Sequence, residues 1–246
     1  MASEKDRRIS LMPVWNTPVG QGPYPMERAE MMIIECNADP GELTRVTPSF
    51  CESGDSRTIN VFFANNCQPP TSIGFYEVGL IQRVYYRGEA VQTIPYIWVS
   101  DDLALLGGRE LFGMSKLLMD DNGLQRYANQ VFGRLSRGGV TMAEGSMVLE
   151  REARPGEAPY AGLASVYERH VQNPNPEKPS LRQLIKLQVT DRQVDGTLWI
   201  GRGHFESHHP LNSGIDRLKL APTGRAWYGV FKWKLPYGDI VEEKEV

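Results

Sequence analysis

"FYEVGLIQRVYYRGEAVQTIPYIWV", Phe75 to Val99, decides the fold class. β-branched and aromatic residues fill both ends, and "RGEA" (Arg87–Ala90) forms a turn between them. The stretch therefore reads as two strands of a hairpin. Pro95 cannot donate to a ladder, which predicts an edge or a bulge in the second strand. Alternation puts Phe75, Glu77 and Gly79 on one face, opposite Tyr76, Val78 and Leu80.

Working outward, the same residue types recur. "EMMIIEC" (Glu30–Cys36) and "TINVFFA" (Thr58–Ala64) read as strands. Between them, "DPGELTRVTP" starts a helix, with Asp39 as N-cap and Pro40 at the first position. "DLALLGGRELFG" (Asp102–Gly113) is helical in character but should be broken at Gly107 and Gly108. Further strands are expected in "YANQVFGRLSR", "GVTMAEGSMVLERE", "LRQLIKLQVTD", "GTLWIGRGHFE", "DRLKLAP" (Asp216–Pro222) and "AWYGVFKWKLP". About ten short strands and two or three short helices, without βαβ alternation, point to a mainly β fold: a curved antiparallel sheet or barrel. The Pro/Asn loop Val171–Ser180 is the best candidate boundary, but strands resume beyond it, so residues 1–246 read as one domain. Residues 1–21 read as an irregular arm, and 238–246 ("GDIVEEKEV") as a frayed, solvated tail.

Composition narrows the function. A net charge of −3 from 27 basic and 30 acidic residues offers no surface for nucleic acid or anionic lipid. No apolar run is long enough for a membrane-spanning helix, and the charged N-terminus does not resemble a signal peptide, so the expected location is the cytoplasm. Cys36, Cys51 and Cys67 form no CxxC motif and read as small core hydrophobes. GxGxxG, GxxxxGKS and GxSxG patterns do not occur.

Three groups could carry chemistry. Lys116 is the single charge between Phe112 and Met119. It either lays its stem on apolar surface with the ammonium in water, or presents a desolvated amine able to attack a ketone. Glu77 is either a carboxylate on a wet face or a buried one that moves protons. "GHFESHHP" gathers His204, Glu206, His208 and His209, but its HxExH spacing matches no zinc motif and reads as a polar loop after a strand, so no metal is expected.

"GPYPMERAEMMII" (Gly22–Ile34), "YEVGLIQRVYYRGE" (Tyr76–Glu89), "YIWVSDDLALLGGRELFGMSK" (Tyr96–Lys116) and "LPYGDIVEE" (Leu235–Glu243) occur in the order of the acetoacetate decarboxylase superfamily. The most specific part runs from Asp101 and Asp102 through Gly108, Arg109 and Glu110 to Lys116. The resemblance implies a cone-shaped, closed antiparallel barrel and a homo-oligomer. It also implies a lysine, here Lys116, that forms a Schiff base with an oxo acid, the imine acting as electron sink without metal or organic cofactor. Glu77 corresponds to an active-site glutamate.

The departures are equally specific. True decarboxylases carry a second lysine where this chain has Leu117. Their carboxylate-binding arginine falls at Ala29, with Arg28 one residue early, and their second glutamate falls near Val61 or Phe62. These losses favour a Schiff-base lyase of aldolase–dehydratase type acting on a small oxo acid, such as a 2-oxo acid like pyruvate. Lys116 and Glu77 would be catalytic, and Arg28, Tyr76, Met114, Leu117 and Tyr228 would contact the substrate. The alternatives are decarboxylation of a β-keto acid through the same imine, and a non-covalent barrel that binds or cyclises an apolar ligand. Arg109 and Glu110 could instead be an ion pair that shapes the turn before Lys116.

Overall fold

The computed structural model describes residues 19–20, 22–68, 73–159, 162–208 and 214–246. In chain order the strands are β1 (Tyr24–Asn37), β2 (Thr58–Gln68), β3 (Ile73–Tyr86), β4 (Glu89–Val99), β5 (Lys116–Leu118), β6 (Gln125–Tyr127), β7 (Gln130–Arg137), β8 (Val140–Glu152), β9 (Ser165–Val171), β10 (Leu181–Leu187), β11 (Thr190–Val194), β12 (Trp199–Ser207), β13 (Ala221–Leu235) and β14 (Asp239–Glu245). Helices are short: α1 (Pro40–Arg45) and α2 (Asp102–Gly107), which runs into a π-turn at Gly108–Phe112. Among the described residues all strands join one sheet, ordered β14-β10-β9-β4-β3-β2-β1-β13-β12-β8-β7-β6, with β5 on β4 and β11 on β13.

The central hairpin forms as expected: β3 and β4 pair from Glu77↔Val99 to Tyr86↔Glu89. The ladder shifts between Leu80 and Gln82, opposite Pro95, which is the anticipated bulge. Asp39 caps α1 by accepting from Glu42 N at 3.1 Å, and Asp101 caps α2 by accepting from Ala104 N at 2.7 Å.

Apolar side chains cover both faces of the sheet, which explains the unbroken run "MMII". Met32 and Ile34 enter the large core with Phe63, Tyr76, Val78, Trp98, Met142 and Phe205. Ile33 turns the other way and packs with Phe62, Ala64, Ile97, Ile200 and Trp227.

Several expectations need correction. The closed barrel is not closed by hydrogen bonds: the path ends at β6, of three residues, and at β14. The charged residues of "DIVEEKE" mark β14 as a blunted edge. The same strand replaces the frayed tail at 238–246. It pairs with β10, Val241 packs against a third apolar cluster, and Glu242 accepts from Tyr86 and Arg87. The sheet is not purely antiparallel, since β4 runs parallel to β5 and β9. Gly107 and Gly108 do not break the helix; both are right-handed helical, and the stop comes at Gly113, with φ 75°. "DRLKLAP" begins as a 3-10 turn at Ile215–Leu218 instead of a strand. β9, "SVYERHV", was not anticipated. The arm falls almost wholly outside the described residues, as does His209.

Candidate active site

Strand register builds the site. On the smaller-core face, Lys116, Ile97, Gly79, Phe62, Ile33, Trp227 and Ile200 form a row across seven strands. Beside it runs a second row, Val99, Glu77, Ala64, Met31 and Gly229, and then a third, Phe75, Asn66, Ala29 and Phe231. Lys116 starts in the apolar row and reaches toward the other two.

Its ammonium stands 2.9 Å from Glu77 Oε1, the two side chains being 9% and 15% exposed. Nζ also lies 5.8 Å from the centre of the Phe75 ring. The Glu77 contact is an ion pair outside good hydrogen-bond geometry, so Oε1 is buried without accepting a hydrogen bond. An ammonium and a carboxylate this close are one proton transfer from a free amine and a carboxylic acid.

The lysine is held there by the turn before it. A Cβ on Gly108 would fall 2.6 Å from Lys116 Cδ and 2.7 Å from Cε, so the lysine stem lies directly on bare backbone. Gly113 takes φ 75° and lies against Arg169, where a Cβ would come within 2.7 Å of the arginine's own Cβ. Arg169 closes the turn from β9, donating to the carbonyls of Glu110 (2.8 Å) and Leu111 (3.2 Å). It is itself fixed by Gln183. Arg109 donates to the carbonyl of Lys116 at 3.0 Å, so it shapes the turn through the backbone. Ser115 Oγ donates to the carbonyls of Pro95 (2.8 Å) and Ile94 (3.2 Å), tying the start of β5 to the bulge.

The candidates from sequence separate into two groups. Lys116 and Glu77 meet. Met114 is buried nearby, in a cluster with Tyr24, Phe112, Tyr167 and Leu187. Arg28, Tyr76 and Tyr228 stand on the opposite face and do not join them. Tyr76 packs in the large core, its hydroxyl oxygen accepting from Arg134 N at 3.1 Å. Tyr228 donates to Glu30, and Arg28 lies 3.8 Å from the same carboxylate. Leu117 follows Lys116 on a strand and so points away from it; it is 38% exposed. These four are corrections, with one cause: on a strand, an odd offset from the site residue selects the other face.

The histidine cluster lies several strands away. His204 and Glu206 line an outward groove with Arg134 and Glu144, and His208 Nε2 is 3.2 Å from Glu144. Among the described residues no group of three or more His, Cys, Asp or Glu is placed to hold a metal ion.

Sequence reasoning missed Tyr167 and Asn66. Tyr167, on β9, is 5% exposed. Burial pushes its pKa up, Ser165 opposes this, and the nearby Glu77 carboxylate raises it further, so the hydroxyl stays protonated beside the pair. The alternating "SVY" of β9 was the available signal. Asn66 is 4% exposed, its Nδ2 has no partner, and it sits between Phe75 and Ala29 in the third row.

The chain matches the family described as acetoacetate decarboxylase (ADC) over residues 11–244. It is 28% identical over 242 residues to the acetoacetate decarboxylase of Chromobacterium violaceum, covering 97% of this chain and 96% of that one. Among solved structures it resembles acetoacetate decarboxylase from Legionella pneumophila, with TM-score 0.78 and 23% identity over 91% of this chain and 89% of that one. It resembles equally well the enduracididine biosynthesis enzyme MppR complexed with the condensation product of pyruvate and imidazole 4-carboxaldehyde, with TM-score 0.78 and 18% identity over 95% and 96% of the two chains. With Lys116 and Glu77 paired on this sheet and the family match spanning nearly the whole sequence, the chain belongs to the acetoacetate decarboxylase family.

Proposed function

We propose that the protein is a Schiff-base lyase that joins or cleaves carbon–carbon bonds of a small oxo acid through Lys116. The buried ion pair of Lys116 with Glu77, against the Phe75 ring, carries this reading. Glu77 takes a proton from the ammonium as substrate enters, and the amine attacks the ketone carbon. The resulting carbinolamine loses water, Glu77 or Tyr167 protonating the departing hydroxyl, and leaves an iminium ion. Removal of a neighbouring C–H proton by Glu77 gives an enamine. The enamine carbon adds to an aldehyde, water is eliminated from the adduct, and hydrolysis of the imine returns the amine and releases product.

Aldolase–dehydratase chemistry is preferred because the site lacks parts that the decarboxylase pattern supplies. Leu117 replaces the second lysine and points away, Phe62 brings no carboxylate, and Ala29 brings no guanidinium to this face. MppR, with its bound pyruvate condensation product, sets the precedent on a similar fold. Decarboxylation of a β-keto acid is the second reading, favoured by the name of the C. violaceum relative.

Treatment with pyruvate and sodium borohydride, followed by intact mass measurement, tests the imine. A mass increase equal to one reduced pyruvate is expected, and it should vanish in Lys116→Ala. No adduct, or one that persists in the variant, would overturn the proposal in favour of non-covalent binding. Release of carbon dioxide from acetoacetate at an enzymatic rate would select the second reading.

A further inference from the structure

The third row of the site has two unusual members. Asn66 Nδ2 is a donor with no partner, buried one strand from the Phe75 ring on which Lys116 lies. Leaving such a donor dry and unpaired is costly unless a ligand answers it. Two strands further along, the Arg192 guanidinium lies 5.3 Å from the Phe231 ring centre. Phe231 is 1% exposed and in register with Ala29, so it belongs to the Lys116 face. Arg192 is exposed to solvent, yet its guanidinium, packed on the Phe231 ring, is partly desolvated, which lowers its pKa from the ordinary value.

Two carboxylates on the Arg192 strand and just beyond it are already paired with lysines. On the same strand Asp191 pairs with Lys234 at 2.8 Å, and nearby Asp195 pairs with Lys232 at 3.2 Å. Among the described residues no carboxylate ion-pairs with Arg192. The Arg192 guanidinium and the Asn66 amide, with Ala29 between their positions in the row, are two donors on one face that no carboxylate among the described residues answers.

We propose that Asn66 and Arg192 form an anion-binding subsite, and that the physiological substrate is an oxo acid with a carboxylate several bonds from the carbonyl that Lys116 attacks. This rests on the imine reading above. The separation follows from strand spacing: Asn66 is about 5 Å and Phe231 about 14 Å across the sheet from Phe75. The role that the decarboxylase pattern gives to an arginine on β1 passes to β11, where the guanidinium reaches the face from the far side.

Matched ketones with and without a carboxylate test this: 4-oxopentanoate against 2-pentanone, and 6-oxoheptanoate against 2-heptanone. Each is trapped with borohydride over a range of concentrations and the adduct is weighed. The wild type should half-saturate with the better acid at about tenfold or more lower concentration than with its neutral partner, the size of one charge-assisted contact. Arg192→Gln should remove most of that preference while leaving the neutral ketones within about twofold. Asn66→Asp, of the same shape, should reverse it by repulsion. Equal trapping of acid and neutral ketone by the wild type, or a preference that survives Arg192→Gln, would overturn the subsite. Trapping of pyruvate without any trapping of the four ketones would also overturn it, whereas failure of pyruvate and every ketone alike would overturn the imine reading on which it depends.

Discussion

Glu30 and Glu77 are equally shielded, each with a side chain 15% exposed, but they stand on opposite faces of one sheet. Glu30 accepts from Tyr228 and from Asn65 Nδ2 (3.4 Å), with Arg28 3.8 Å away. Its neighbours are equally occupied: Asn65 also exchanges hydrogen bonds with both backbone groups of Leu124. Glu77 has Lys116, and its Oε1 accepts no hydrogen bond. Near it, Asn66 Nδ2 has no partner. The polar groups around Glu30 are saturated, as is usual in the interior, where an open one is costly. What separates the Lys116 face is that its open groups, Glu77 Oε1 and Asn66 Nδ2, stand beside a buried amine and so suit a ligand.

Substitution at Lys116 should break this contrast most strongly. Lys116→Met should lower turnover by at least about 10³-fold, since the nucleophile is gone. It should also destabilise the protein by about 3–5 kcal/mol in denaturant unfolding, because Glu77 is left buried and unpaired. Adding Glu77→Leu should recover most of that stability and none of the activity. Glu77→Gln comes next. It should keep an adduct in borohydride trapping but slow turnover by roughly 10²–10⁴-fold, the usual share of a general acid–base group.

Gly108→Ala should act through position alone. The added methyl group displaces the lysine stem, and a shift of about 1 Å can cost about 10²-fold in rate. The smallest catalytic effect belongs to the saturated face. Tyr228→Phe should leave turnover within about twofold, yet cost about 1.5–3 kcal/mol of stability through the lost hydrogen bond to Glu30. A drop in turnover from Tyr228→Phe as large as that from Glu77→Gln would show that the two faces do not divide the work in this way.

Much of the frame was legible. The hairpin at Phe75–Val99, the bulge at Pro95 and the cap at Asp39 follow from local chemistry that acts over a few residues. The sharing of one face by Phe75 and Glu77 follows from a period of two. The errors arose where a local rule met a tertiary demand. Gly107 and Gly108 favour a break, but Gly108 is needed as bare backbone under the Lys116 stem, so the helix continues as a π-turn and stops at Gly113. The charged end "DIVEEKE" has the composition of a solvated tail, but β10 offers it an edge, and Val241 and Glu242 find partners there.

At the site, Lys116 and Glu77, singled out by their apolar settings and by the family resemblance, are found paired, whereas Arg28, Tyr76, Leu117 and Tyr228 point to the other face. Each is adjacent in sequence to a residue of the Lys116 face or lies on a strand that crosses it. None can turn toward the lysine, because neighbouring side chains on a strand point apart. Tyr167, Asn66 and Arg192 were not found, since they come from strands β9, β2 and β11, whose register with the lysine no local pattern encodes.

The sequence by itself determined a mainly β protein with one lysine in an apolar setting and a glutamate on a known strand face. Periodicity and turn chemistry are local, so they survive without the fold. Only the tertiary structure decided that Lys116 and Glu77 meet at 2.9 Å, that the companion tyrosines lie behind the sheet, and that Asn66 and Arg192 share the lysine's face. Those facts depend on the register between strands far apart in the chain, which is set by burying both faces of the sheet at once.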